Sequence, residues 1–141
     1  MMVYAVVYDL LWDTPLVDVI YEAIAAQLPP PPCDVREIGA GTGLITRRLL
    51  DDGYTVLAVE PCPAMVRRLR RRAAEAEIEC VRLESCGDAK ASALIAVDSL
   101  HMMENQRAAV ARMRNLVDAD GVVVLVTPTM AATVATVVAE Q

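Results

Sequence analysis

Hydrophobic positions along this chain change period several times, and the changes mark out its elements. Met2, Val3, Val6, Val7, Leu10 and Leu11 recur at helical spacing, so the first dozen residues predict a short amphipathic helix. Leu16, Val19, Ile20, Ala23 and Ile24 form a second apolar stripe. It begins where Thr14 is placed as an N-cap and Pro15 takes the first helical position, at which a missing N–H is harmless. The prolines from Pro29 to Pro32 stop it and leave a stiff, extended connector.

Beyond the prolines, short β-branched runs alternate with helical spacing. Strands are predicted at Asp34–Ile38, Thr55–Glu60, Ile78–Leu83, Ala93–Asp98 and Val122–Thr127. One helix runs through Leu44, Ile45, Leu49 and Leu50 to Gly53, which suits a left-handed cap. A second opens at Pro61 and Pro63 and carries Met65, Val66 and Leu69 inward; a third spans Asn105–Val117. Strands spaced by helices of this length give βαβ units, and strands apolar on both faces call for helices on each side. Right-handed crossovers then make an α/β fold: a doubly wound, mainly parallel sheet of about five strands. In the tail, Met130, Val134, Val137 and Val138 return to helical spacing. One domain is expected: a helical cap and connector over 1–32, a core over 33–128 and a C-terminal helix over 129–141.

Composition narrows the classes. Hydrophobic residues make up 55% and charged residues 23%, which excludes disorder. No apolar run reaches the ~18 residues of a membrane span, and Met1–Trp12 lacks a basic flank and is broken by Asp9. The net charge of −6 disfavours nucleic acid as a partner. Arg67, Arg68, Arg70, Arg71 and Arg72 are a local exception; the solvated face of a helix outweighs an anion patch, since no aromatics interleave them. Cys33, Cys62, Cys80 and Cys86 form no C-x-x-C pair and the chain has one histidine, so no metal site is expected. Reduced thiols and a cytoplasmic setting follow from the missing export signal.

In a doubly wound sheet, ligands bind beyond the carboxyl ends of the strands. Polar groups stand at four such ends. Glu37–Ile38–Gly39–Ala40–Gly41–Thr42–Gly43 follows the first strand, and Glu60, able to accept two hydrogen bonds from a ribose diol, closes the second. Gly87–Asp88–Ala89 is expected after the third, and Asp98–Ser99–Leu100–His101 after the fourth. A dinucleotide site needs G-x-G-x-x-G; here Leu44 stands where the third glycine belongs, so a pyrophosphate is disfavoured.

Over roughly Val35–Pro128 the chain resembles the class I S-adenosylmethionine-dependent methyltransferases. Glu37–Gly43 looks like that family's first motif, and Val56–Leu57–Ala58–Val59–Glu60–Pro61, running on to Ala64–Met65, looks like its second. The resemblance implies the strand order 3-2-1-4-5 and S-adenosylmethionine as cofactor, with Glu37 among its ligands. Gly39, Ala40, Gly41 and Gly43 would form the loop at its methionine part, and Glu60 would hold its ribose. Pro61, Cys62 and Met65 would border the adenine, while Asp88 and the Ala89 N–H would address its edge. Asp98, Ser99 and His101 would lie where methyl donor meets acceptor, with His101 as a base. Tyr4, Tyr8 and Trp12 are placed either to form a lid or to pack as the apolar face of their helix.

Departures from the family bear on function. No Asn/Asp-Pro-Pro-Tyr/Phe segment follows the fourth strand, which argues against amino methylation of nucleic acid. Two further strands of the family are expected to be absent, leaving the strand 122–127 as an exposed edge for a second copy or a partner chain to cover. The expected activity is methyl transfer to oxygen, nitrogen or carbon of a small molecule. The alternatives are a non-catalytic, cofactor-binding subunit, or a same-fold enzyme that uses the cofactor structurally in a cyclisation or rearrangement.

Overall fold

The computed structural model describes Asp9, residues 12–127 and the backbone of 135–138. Its helices are α1 (Pro15–Ala25), α2 (Leu44–Asp51), α3 (Pro63–Arg72) and α4 (Gln106–Asn115). Its strands are β1 (Asp34–Ile38), β2 (Thr55–Val59), β3 (Glu77–Glu79), β4 (Ala91–Val97), β5 (Val117–Thr127) and β6 (Ala135–Val138). Single 3-10 turns sit at Leu83–Ser85 and Leu100–Met102. Asp9 and Trp12 are helical; the rest of the predicted first helix lies outside the described residues.

One sheet carries the order β3-β2-β1-β4-β5-β6. β1 through β5 run parallel, with Ile38 opposite Val59 on one side and Ala96 on the other, so the carboxyl ends of the central strands meet. Alternation along β1 separates two cores. Val35 joins α1, α2 and Leu69 of α3 on one face, while Ile38 joins Leu83, Ala109, Met113 and Leu116 on the other. No helix among the described residues is long and apolar enough to cross a membrane.

The tail departs from expectation. Ala135–Val138 is a strand, antiparallel to β5, with Val138 opposite Val124 and Ala135 opposite Thr127. Thr136, Val137 and Val138 are β-branched, and an open strand edge satisfies their backbone where a helix of such residues would lose χ1 freedom. β5 is therefore an inner strand, and the reason given for a covering copy or partner no longer holds. β5 also begins earlier than expected, because Val117 leaves α4 to pair with Ala91 across a register shift.

The third strand is shorter than expected. After Glu79 the chain turns, buries Leu83 in the second core and reaches β4 without an α-helix. Arg36, in the middle of β1 and only 1% exposed, fastens this crossover. Its Nη1 donates to Gly87 O at 2.7 Å and its Nη2 to Ala89 O at 2.6 Å. From the other side, Arg112 of α4 donates to Cys86 O at 2.7 Å and pairs with Asp88 at 2.6 Å.

Candidate active site

β1 passes into a loop fixed by its own backbone. The N–H groups of Gly39 and Ala40 both donate to Val59 O, at 2.8 and 3.3 Å, and Gly43 N–H donates to Ala40 O at 3.0 Å. Gly39 has φ +72°, and a Cβ there would lie 2.6 Å from the Cβ of Ser99. Only glycine allows the loop to pass this close to the end of β4. At Gly43, φ +90°, a Cβ would stand 2.6 Å from Leu69 Cδ1, so this glycine serves the packing of α2 on α3.

Glu60 follows β2 and is 7% exposed. Its Oε2 accepts Gly41 N–H at 2.8 Å and its Oε1 accepts Cys62 N–H at 2.9 Å. A carboxylate offers about four lone-pair directions, so each oxygen keeps one for a vicinal diol. Cys62 precedes the first turn of α3, Met65 is buried one turn on, and Pro61 is exposed.

Glu37 is enclosed beneath the loop and accepts the Thr46 hydroxyl at 2.5 Å. Burial above all, with repulsion from Glu60, pushes its acid up to about 8 against the pull of Thr46. Asp98 ends β4 at φ +49°, a left-handed conformation unusual outside glycine. Its Oδ1 stands 3.3 Å from Nδ1 of His101, which is half exposed in the following 3-10 turn. Burial raises the Asp98 acid above the usual carboxylate range, and the imidazole counteracts it. Ser99 Oγ donates to Ile38 O at 3.2 Å. Trp12, Val17 and Ile20 roof a cavity of about 30 Å³ above Glu37, Gly39 and Asp98.

The strand ends thus gather Glu37, Gly39–Gly43, Glu60, Asp98, Ser99 and His101 at one end of the sheet. Asp88 and Ala89 fall elsewhere. They enter β4 from its amino end, and the Asp88 side chain is 87% exposed and paired with Arg112, so the expected adenine contacts are not in place. The third strand ends at Glu79 and not at Leu83, so residues 87–89 lie just before β4 and not just after β3. Tyr4 and Tyr8 lie outside the described residues, leaving Trp12 of the expected lid. Thr42, Thr46 and Asp9 went unremarked as site residues. An acid amid an apolar stripe, with an arginine run elsewhere, was the available signal for Asp9.

These groups suit a nucleoside that carries a cationic amino-acid tail: a poised carboxylate for its diol, a loop without side chains for its approach, and the acids Glu37 and Asp98 near its charge. A family model described as "Methyltransferase domain" matches residues 36–125. Ribosomal RNA small subunit methyltransferase A of Synechococcus sp. (strain JA-3-3Ab) is 51% identical over 61 residues, which cover 40% of this chain and 22% of that protein. A TehB-like S-adenosylmethionine-dependent methyltransferase of Corynebacterium glutamicum superposes with TM-score 0.75 at 18% identity, over 93% of this chain and 76% of its own. Magnesium protoporphyrin IX methyltransferase of Synechocystis PCC 6803, solved with S-adenosylmethionine bound, gives TM-score 0.71 at 20% identity, over 84% and 60%. At these identities the two structures establish a common fold. The chain spans less than a quarter of its curated relative.

Proposed function

We propose, on the premise that this chain belongs to the methyltransferase domain family, that it transfers the methyl group of S-adenosylmethionine to oxygen, nitrogen or carbon of a small molecule. The observation that carries this reading is Glu60, buried at the end of β2, held by two backbone N–H groups and still able to accept a diol. The residues fit the cofactor: Glu60 for the ribose, Gly39 to Gly43 for close backbone approach, and Glu37 and Asp98 as acids beside the cationic tail. The bound cofactor supplies an electrophilic methyl carbon on a sulfonium.

Displacement at such a carbon asks the protein mainly for orientation, with an upper reach of about 7–11 kcal/mol. Gly39 fixes the loop against Ser99, and Ser99 in turn holds the end of β1. For an oxygen or nitrogen acceptor a proton must leave, and His101 takes it, with the Asp98 carboxylate 3.3 Å from its Nδ1. Replacing His101 by Asn should lower kcat with protic acceptors by about 10²-fold or more while leaving cofactor affinity unchanged. Equal kcat would remove the base.

Calorimetric titration with S-adenosylmethionine tests the whole reading. The wild type should bind, and Glu60→Ala should bind about 1–3 kcal/mol more weakly, the scale of hydrogen bonds to a charged acceptor. Equal affinity would take Glu60 out of the site. The match to a ribosomal RNA methyltransferase favours a second acceptor class, RNA, against which the net charge of −6 counts. Methyl incorporation into isolated small ribosomal subunits, at a rate no small molecule equals, would decide for it.

A further inference from the structure

We infer that Asp9, Arg68, Arg72 and Thr42 form a latch that ties the turn carrying Asp9 and Trp12 to the glycine loop, which makes Asp9 a positioning residue of the cofactor site. The inference rests on the cofactor reading given above. Asp9 belongs to none of the strands or helices that build the site, yet it is only 8% exposed. Its carboxylate accepts the Thr42 hydroxyl, Arg68 Nε at 3.0 Å and Nη2 at 2.8 Å, and Arg72 Nη2 at 3.2 Å. Arg72 also donates to Thr42 O at 2.8 Å and to Thr42 Oγ1 at 2.9 Å. Three parts of the chain, the N-terminal segment, the glycine loop and α3, therefore meet on one carboxylate. Two of the five clustered arginines are accounted for; Arg67, Arg70 and Arg71 are exposed.

The latch acts where binding would be felt. Thr42 lies between Gly41, whose N–H is on Glu60, and Gly43, which seats α2 against α3. Asp13 N–H donates to Asp9 O at 2.8 Å, so Asp9 and Trp12 share a helical turn. Trp12 roofs the cavity, and about 30 Å³ has room for a water or two but not for an amino-acid tail. The latched state is thus the closed one, and the tail enters or leaves when the turn lifts. Charges suit that purpose. An apolar seam would hold as well or better, but the arginine side chains are 35% and 26% exposed and rehydrate when the contact parts.

Trp12 is the only tryptophan in the chain, so its fluorescence reads the latch without any cofactor. Acrylamide quenching of the full-length chain should rise about twofold or more in Asp9→Asn, and likewise in Arg68→Gln, whose hydrogen bonds among the described residues go only to Asp9. Arg68→Gln keeps the test open if Asp9→Asn does not fold. Asp9→Glu should recover part of the protection, which loss of packing alone would not predict. In stopped flow, S-adenosylhomocysteine should leave both neutralised variants about tenfold faster than wild type. Quenching equal to wild type in folded Arg68→Gln overturns the latch, whatever the release rate. A wild type that binds no cofactor overturns the proposed function instead, and the quenching result still stands.

Discussion

Glu37 shows how far one side chain can be driven by its surroundings. Its acid is raised from 4.5 to about 8, chiefly by burial. The sign follows from linkage: a raised carboxyl contributes stability that is full below the unfolded value of 4.5 and is lost as pH climbs through about 8. Wild type minus Glu37→Gln should therefore lose stability between those two values, and urea unfolding of both proteins across that window measures it. A flat difference would mean that Glu37 ionises as freely folded as unfolded. At Gly39 the limit is steric. Gly39→Ala places a Cβ at 2.6 Å from Ser99 on a backbone with φ +72°, which should cost about 1–3 kcal/mol and displace the loop. Thermal unfolding should show the loss, and calorimetry should show weaker cofactor binding. Both residues were legible in the sequence as types in a motif. That Glu37 is enclosed, and that Ser99 is what Gly39 approaches, depends on contacts some sixty positions apart.

Among the elements, those that write their own period were read well. The runs Val122–Val126 and Thr55–Val59 are β-branched and apolar on both faces, and both are inner strands. Elements made by their neighbours were not. Four residues, Ala135–Val138, become a strand because β5 offers them a row of unpaired backbone groups, and no local period states that. Leu83 looked like the end of a strand and is instead the apolar plug of a 3-10 turn. A chain ended after Thr127 should expose the β5 edge along Val122–Val126, and sedimentation should show concentration-dependent association absent from the full chain. A monomer would mean that β6 is not what protects the edge.

Across the whole molecule, the sheet brings acids from three separated segments, Glu37, Glu60 and Asp98, to one end, while buried and half-buried arginines tie the surrounding segments together. Charge counts could not show this. The net value of −6 conceals Arg36, buried at mid-sheet, and Arg68 and Arg72, drawn onto Asp9. The location of the candidate site was legible from the carboxyl ends of parallel strands, and the strand order from the resemblance to the methyltransferases. The Asp9 contacts were not, because they join residue 9 to residues 68 and 72.

The crossover from β3 to β4 lacks an α-helix of its own, and its carbonyls are held by Arg36 from β1 and Arg112 from α4. That bears on the order of assembly. No α-helix nucleates residues 80–90, so they settle only after β1 and α4 have docked, past the main folding barrier. Arg36→Met should weaken folding without changing the early rate, since its bonds form past the barrier. In native-state hydrogen exchange, amides of the crossover should then open well below the global unfolding energy while those of β1 and β4 stay protected.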